Sequence, residues 1–469
     1  MRLPYHPQAT IHVAPDTQPG MARPVRRRPA ARIEPSPRVC YARHFCRRLF
    51  VTELQAGLGL LVFIAIAWLL SEHRRSFPWR PVLAGLALQF GIAALLLNVP
   101  GMQHLFLWAN EAVIALTDAT RAGTTFVFGY IGGDEPPFAT EDHGSTFVLA
   151  FQALPLILVL SALSALLFHW RILPLLIRGA SRVLQRAFGI GGALGVGTAS
   201  NVFLGMVESP LVIRPYLREM TRSELFALMA VGMATLAGTM LVLYATIINT
   251  ALDDALGHLI VASLISLPAA LLVATVMIPP TAPSTAGELL PEPEPASSSM
   301  DAITRGTLRG LELLLQIVAL LIVVIALVAL VNVMLGALPE VAGAALSLER
   351  MLGWVFAPLA WLMGIPWNEA VTAGSLLGVK TILNEMVAFL HLAELPRDAL
   401  SARSELILIY ALSGFANLGS LGILIGGLGA LVPERRSEIV ALGIRAIVAG
   451  TLATLMTGAV VGILHLPGV

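Results

Sequence analysis

Asn201-Val202-Phe203-Leu204-Gly205-Met206-Val207-Glu208-Ser209-Pro210 is followed by Arg222-Ser223-Glu224-Leu225 and by Gly232-Met233-Ala234-Thr235-Leu236-Ala237-Gly238. Further on, Thr381-Ile382-Leu383-Asn384-Glu385-Met386 is followed by Arg403-Ser404-Glu405-Leu406 and by Gly414-Phe415-Ala416-Asn417-Leu418-Gly419-Ser420. In both places an apolar segment is broken at its tip by a glutamate, and the same short motif and a second break come after it. A carboxylate at the centre of a spanning helix costs at least about 2.5 kcal/mol. Two of them in matching halves point to one shared binding site. Discontinuous helices in corresponding positions of two repeats are the mark of a secondary transporter.

Composition agrees with a membrane setting. Of 469 residues, 57% are hydrophobic and 13% charged, against about 45–50% and 25% for soluble domains, and mean hydropathy is +0.80. Apolar runs of spanning length recur, so the expected class is an all-α polytopic membrane protein. A formal net charge of +1 argues against a nucleic-acid partner. The only cysteines are Cys40 and Cys46, which excludes a disulfide framework. A metal site built on Cys40, His44 and Cys46 is the minor reading beside a plain tail.

Eight crossings are expected: Leu54–Leu70, Val82–Val99, Phe147–His169, Glu224–Ile248, Gly257–Ile278, Leu308–Leu335, Ser404–Gly427 and Glu438–Leu464. Met102–Val127, Ile172–Phe188 (with Arg171, Arg178, Arg182 and Arg186) and Leu348–Met363 (with Trp354 and Trp361) suit helices lying at the interface. Gly189–Tyr216 and Trp367–Leu392 are apolar but split by Gly, Pro, Asn and Glu. A re-entrant hairpin, buried in protein, explains them better than a continuous span. The clustered glycines 189, 191, 192, 195 and 197 fit close helix packing; a phosphate loop would need a preceding strand and a lysine.

The chain then divides into a basic leader (1–50) read as disordered, N-terminal scaffold helices (54–145), a first half (147–278, hairpin 189–216), a linker (279–307), scaffold and interfacial helices (308–366), and a second half (367–469, hairpin 367–392). Basic segments at Ser71–Arg80, Arg171–Arg186, Arg214–Arg222, Arg305–Arg309 and Arg435–Arg436 fall on the cytoplasmic side, with the acidic Asp134–Asp142 and Asp253-Asp254 outside. That places the two Arg-Ser-Glu-Leu copies in inverted orientation.

Several stretches resemble the concentrative nucleoside transporter family. They are Leu211-Val212-Ile213-Arg214-Pro215-Tyr216, Met220-Thr221-Arg222-Ser223-Glu224-Leu225, Gly378-Val379-Lys380-Thr381-Ile382-Leu383-Asn384-Glu385, Gly414-Phe415-Ala416-Asn417 and Leu431-Val432-Pro433-Glu434-Arg435-Arg436. The similarity runs from about Leu54 to near the C-terminus. The resemblance implies a homotrimer of the cell inner membrane, a mobile hairpin-bearing domain on a scaffold, and nucleoside import on a sodium or proton gradient without a cofactor.

Matched position by position, the resemblance makes Glu208 the hairpin acid at the nucleoside and Glu385 the acid on the ribose hydroxyls. Asn417 and Ser420 become ribose-binding groups and Phe415 the aromatic beside the ligand. A diol donates two hydrogen bonds, and a carboxylate accepts both with charge-assisted strength. Asn417 as a helix cap and Phe415 as plain core are the competing readings. The cation site resembles one built from Asn201, the Leu204 carbonyl, Thr235 and Leu236, oxygen ligands suited to a hard cation. Beyond that cation, no metal is expected.

The chain departs from the family at Met206 and Val207, where relatives carry Gln followed by Thr or Ser that read the base. Base selectivity is therefore expected to be altered. Loss of polar neighbours around Glu208 leans the coupling ion toward the proton, while Asn201 and Thr235 weigh toward sodium. Lys380, the single lysine, either pairs with a carboxylate such as Glu385 or snorkels to the interface. His104, His143 and His169 are read as interfacial, and Arg445 as reaching the cytoplasmic surface. The alternative function is a gate-like module, or a transporter for another small polar solute. No nucleophile–base pair marks an intramembrane enzyme.

Overall fold

The computed structural model describes residues 37–98, 100–137, 147–248, 254–287, 296–341 and 343–464. The chain divides into residues 1–48 and residues 49–469, and the account below is of the second unit. His143, most of Asp134–Asp142, Asp253 and the Pro291–Pro295 run lie outside the described residues, as does the side chain of His104.

Three helices lead in: α1 (Pro37–Leu69), α2 (Trp79–Asn98) and α3 (Pro100–Phe128). Helix α1 begins at Pro37, within the stretch read as the basic leader. Pro37 opens α1, where its missing N–H and fixed φ suit a first helical turn. Among the described residues no cluster of His, Cys, Asp or Glu could hold a metal ion.

One order of elements then occurs twice. The first pass runs through α4 (Leu149–Gln152) and α5 (Leu156–His169), the amphipathic α6 (Ile172–Phe188), a hairpin of α7 (Gly192–Leu204) and a 3-10 segment (Ser209–Tyr216), a broken helix α8 (Arg222–Ala234) and α9 (Gly238–Ile248), and α10 (Ala255–Met277). The second runs through α11 (Ser299–Gly336), α12 (Leu348–Leu362), a hairpin of α13 (Trp367–Ile382) and α14 (Glu385–Glu394), a broken helix α15 (Ala402–Leu412) and α16 (Leu418–Leu431), and α17 (Arg436–Leu464). Packing is crossed between the passes: α5 lies on α11, α10 on α17, α8 on α17 and α15 on α10.

Among the described residues, seven helices are long and apolar enough to cross a membrane, counting α8 and α9 together. The eighth expected crossing, Ser404–Gly427, is built of two short helices, α15 and α16, interrupted as α8 and α9 are. The pair α12 and α13 bends by 118°, too sharply for one crossing. Within the apolar 18-residue stretch of each, 83% of the residues are buried in the span Arg222–Ile248 and 6% in α11. The broken helix is thus the protein core, and α11 faces outward.

Local chemistry explains the starts and breaks. Thr221 caps α8 with a complete capping box to Glu224, and Ser401 caps α15, each satisfying orphan N–H groups of a first turn. The serines of the repeated motif are therefore not the caps; Ser223 donates to the Ile278 carbonyl at 2.6 Å. At the tip of the first hairpin Gly205 has φ +90° and ψ 174°, a region open essentially to glycine. A Cβ there would stand 2.9 Å from Ala237 Cβ and 3.2 Å from Glu208 Oε2.

The start of the expected linker is a strap. Thr285 donates its N–H to Glu224 Oε1 at 2.8 Å and its hydroxyl to Oε2 at 2.7 Å. Its backbone crosses the foot of α7 so closely that a Cβ on Gly191 would meet the Thr285 oxygen at 2.1 Å, and one on Gly192 the Gly287 oxygen at 1.9 Å. The linker also ends earlier than expected, since α11 begins at Ser299 under a Ser298 cap.

Candidate functional site

Glu385 is the first residue of α14, and Asn384 caps that helix by accepting from the Val387 N–H at 2.9 Å. A helix N-terminus favours a carboxylate. Glu385 is buried, and both its oxygens are engaged: Tyr244 of α9 donates to Oε1 at 2.5 Å and the Asn417 amide to Oε2 at 2.8 Å. Tyr244 also packs on Phe389 with ring centroids 5.3 Å apart. The acid of the second hairpin is thus held by a side chain from each broken helix.

Asn417 does two things at once. Its side-chain oxygen accepts from the Ser420 N–H at 2.7 Å and caps α16, while its amide holds Glu385. The cap and ligand readings of this residue are therefore compatible. Phe415 and Ser420 are almost wholly buried, at 8% and 7% exposure. Helix α16 packs against both α13 and the 3-10 segment, so it bridges the two hairpins.

The tip of the first hairpin, Met206, Val207 and Glu208, packs against α8 and α16. Met206 seats on Gly232 of α8, whose Cβ direction meets Met206 Cβ at 3.0 Å, and Val207 seats on Gly427 of α16, with Cγ1 at 3.0 Å. Among the described residues no other side chain hydrogen-bonds Glu208. Its carboxylate folds back over Gly205, and Arg309 of α11 is the cation whose field reaches it.

Asn201 and Thr235 touch side chain to side chain, and Ser209 donates to Asn201 Oδ1 at 3.3 Å. Ser263 of α10 receives the Leu236 N–H at 3.0 Å and reaches the Leu236 carbonyl at 3.2 Å. Leu204 ends α7, where the last carbonyls of a helix lack intrahelical partners. Asn201, Thr235 and Ser209 thus form one hydrogen-bonded cluster, and oxygens of this kind suit a hard cation.

Lys380 follows neither expectation. It is 1% exposed, so it does not snorkel, and its ammonium donates to the Ala411 carbonyl at 2.7 Å and to Thr454 at 2.9 Å rather than to Glu385. Ala411 lies in the last turn of α15, where free carbonyls attract a cation. The lysine braces the break that carries Phe415 and Asn417. Tyr244, Ser263 and Thr454 are residues that sequence reasoning missed.

At the edge of the fold Glu72 binds Arg222 at 2.9 Å and Arg445 at 2.5 Å. The Arg222 guanidinium hydrogen-bonded to it is the main reason its carboxyl sits below the ordinary value of 4.5. Arg435 ties Glu438 at 2.8 Å to the Leu217 and Met220 carbonyls, locking the exit of the first hairpin to α17.

Family models described as Na+ dependent nucleoside transporter match residues 58–131 with the N-terminal part and 258–462 with the C-terminal part, and a nucleoside recognition (Gate) model matches residues 150–251. The chain belongs to the concentrative nucleoside transporter family. Among its relatives is the nucleoside permease NupC of Helicobacter pylori, 35% identical over 88% of this chain and 98% of that one. Two solved structures of the transporter CNTnw share 36% identity. The inward-facing substrate-bound state has a TM-score of 0.79, covering 87% of this chain and 98% of the other, and an outward-facing variant has 0.80, covering 88% and 97%. This family member is a multi-pass protein of the inner membrane with the all-helical fold of those transporters.

Proposed function

We propose that the protein imports nucleosides across the inner membrane on a cation gradient, with the hairpins and broken helices moving together in an elevator-type cycle. The observation that carries this is Glu385, buried and held by Tyr244 and Asn417 where the second hairpin meets both broken helices. A carboxylate so placed exchanges its protein donors for the two hydroxyls of a ribose without leaving a buried charge unpaired. Glu385, Asn417 and Ser420 hold the sugar, Phe415 lies beside it, and Glu208, Met206 and Val207 face the base. Met206 and Val207 offer no hydrogen bond to a base edge, so Glu208 is the polar group left to read it.

Asn201, Leu204, Thr235 and Leu236 hold the coupling ion. Their oxygens suit sodium, and the description of the family supports it; a proton on Glu208 is the competing coupling. Membership of the family supports a homotrimer.

Uptake of labelled nucleosides into proteoliposomes, with sodium and proton gradients imposed separately, tests the proposal. Accumulation under an inward sodium gradient alone is expected. Accumulation under a proton gradient alone reassigns the ion, and no uptake of any nucleoside under either gradient leaves the gate-like or other-solute reading in its place.

A further inference from the structure

Helix α6 carries a surface that transport of a nucleoside does not use. At 3.6 residues per turn, Arg178, Arg182 and Arg186 fall within a sector of about 80° and extend about 12 Å along the axis. All three are exposed. Next around the helix comes an exposed apolar stripe, Ile172, Leu176 and Val183, at 45%, 50% and 53% exposure, while Leu175, 70% exposed, lies in line with the arginines one turn toward the N-terminus. The remaining side, with Leu173, Ile177, Leu184 and Phe188, is buried against the protein. The helix contains no acidic residue, and among the described residues the three arginines make no salt bridge.

Three sectors in that order match three environments. The buried side needs protein, the apolar stripe needs acyl chains, and the arginine row needs fixed negative charge at the depth where acyl chains begin. Only the headgroup layer of an anionic phospholipid supplies charge there. The other helix in the corresponding place, α12, is built differently. Its Arg350 is turned onto the carbonyls of Val341, Ala344 and Ala345 and stands 5.2 Å from the centre of the Trp354 ring. A free basic row is therefore confined to one of the two amphipathic helices.

We propose that the Arg178–Arg182–Arg186 face of α6 is a docking surface for anionic phospholipid headgroups. Position gives it leverage on the hairpin. α6 is capped by Gly189, three residues before α7 begins, and packs along it: a Cβ on Gly195 would meet Gln185 Cγ at 2.7 Å and Ser181 Oγ at 3.0 Å. A headgroup holding α6 thus holds the foot of the first hairpin.

The test uses the full-length protein in a neutral detergent with a fluorescent phosphatidylglycerol, read by anisotropy. Unlabelled phosphatidylglycerol is expected to displace the probe and phosphatidylcholine is not. Losing one arginine (Arg182→Gln) should weaken binding about fivefold, and losing Arg178, Arg182 and Arg186 together about a hundredfold. If the triple variant does not fold, the three single Gln variants carry the test. Equal displacement by the two lipids, unchanged affinity in the variants, or displacement by glycerol 3-phosphate at the same concentration as by the lipid overturns the proposal. The last result would mean a site for soluble phosphates.

Discussion

Gly414 lies against Ala234 so tightly that a Cβ on the glycine would stand 2.7 Å from the Ala234 carbonyl oxygen. One residue opens the break between α15 and α16, and the other ends α8 just before the break to α9. The two interruptions cross at this point, and no side chain fits between them.

Gly414→Ala therefore forces two backbones apart at the core of the protein. Overpacking of this kind costs about 1–3 kcal/mol, so the melting temperature falls and uptake is lost with it. An unchanged melting temperature would show that the crossing has room.

The held carboxylate makes a graded prediction. Tyr244→Phe removes a donor worth about 1.5–3 kcal/mol to the empty site; because the ribose hydroxyls displace that donor, the melting temperature falls while nucleoside affinity rises. Glu385→Gln keeps the shape but loses the charge-assisted bonds, and abolishes measurable binding. Calorimetry on purified protein checks both. Wild-type affinity in Glu385→Gln removes the residue from the sugar site.

Replacing Met206 with Gln and Val207 with Thr restores polar groups that reach a base edge. The ranking of nucleosides in competition uptake is expected to change while affinity for ribose-bearing compounds as a class persists. An identical ranking means the hairpin tip does not contact the base.

The strap is tested by a double-mutant cycle on Glu224→Gln and Thr285→Val. Two hydrogen bonds to a carboxylate link them, so a coupling of about 1 kcal/mol or more is expected in thermal melts. Additive effects would show that the segment does not rest on Glu224.

Acid should weaken the Glu72 cluster. Its folded pKa lies below the ordinary 4.5 because Arg222 hydrogen-bonds it, so its stabilising share is present above that value and is lost as pH falls through the folded pKa. Glu72→Gln is expected to flatten the acid side of the melting profile. Parallel profiles would sink this assignment.

Sequence reading found the hairpins and both breaks because their signals are local. Gly205 beside Glu208, Asn384 beside Glu385, and Gly414 through Asn417 each place a backbone-permissive or capping residue within a few positions of the polar group. It missed Tyr244 because that residue and Glu385 are 141 positions apart, and a tyrosine in an apolar run reads as core until its partner is known. Lys380 reads from the sequence as a carboxylate's partner or a snorkelling group. Its acceptor is a backbone carbonyl, Ala411, which no residue type announces.

The strap also makes the two halves unequal as pieces. Thr285 and Gly287 lie beyond the end of α10, yet they serve the first hairpin. A polypeptide cut after Gly287 leaves the first half with its own fastening, whereas a cut at Pro279 strands that fastening on the second. If the protein is expressed as two fragments, the position of the cut decides whether the first fragment can close its own hairpin foot before it meets the other.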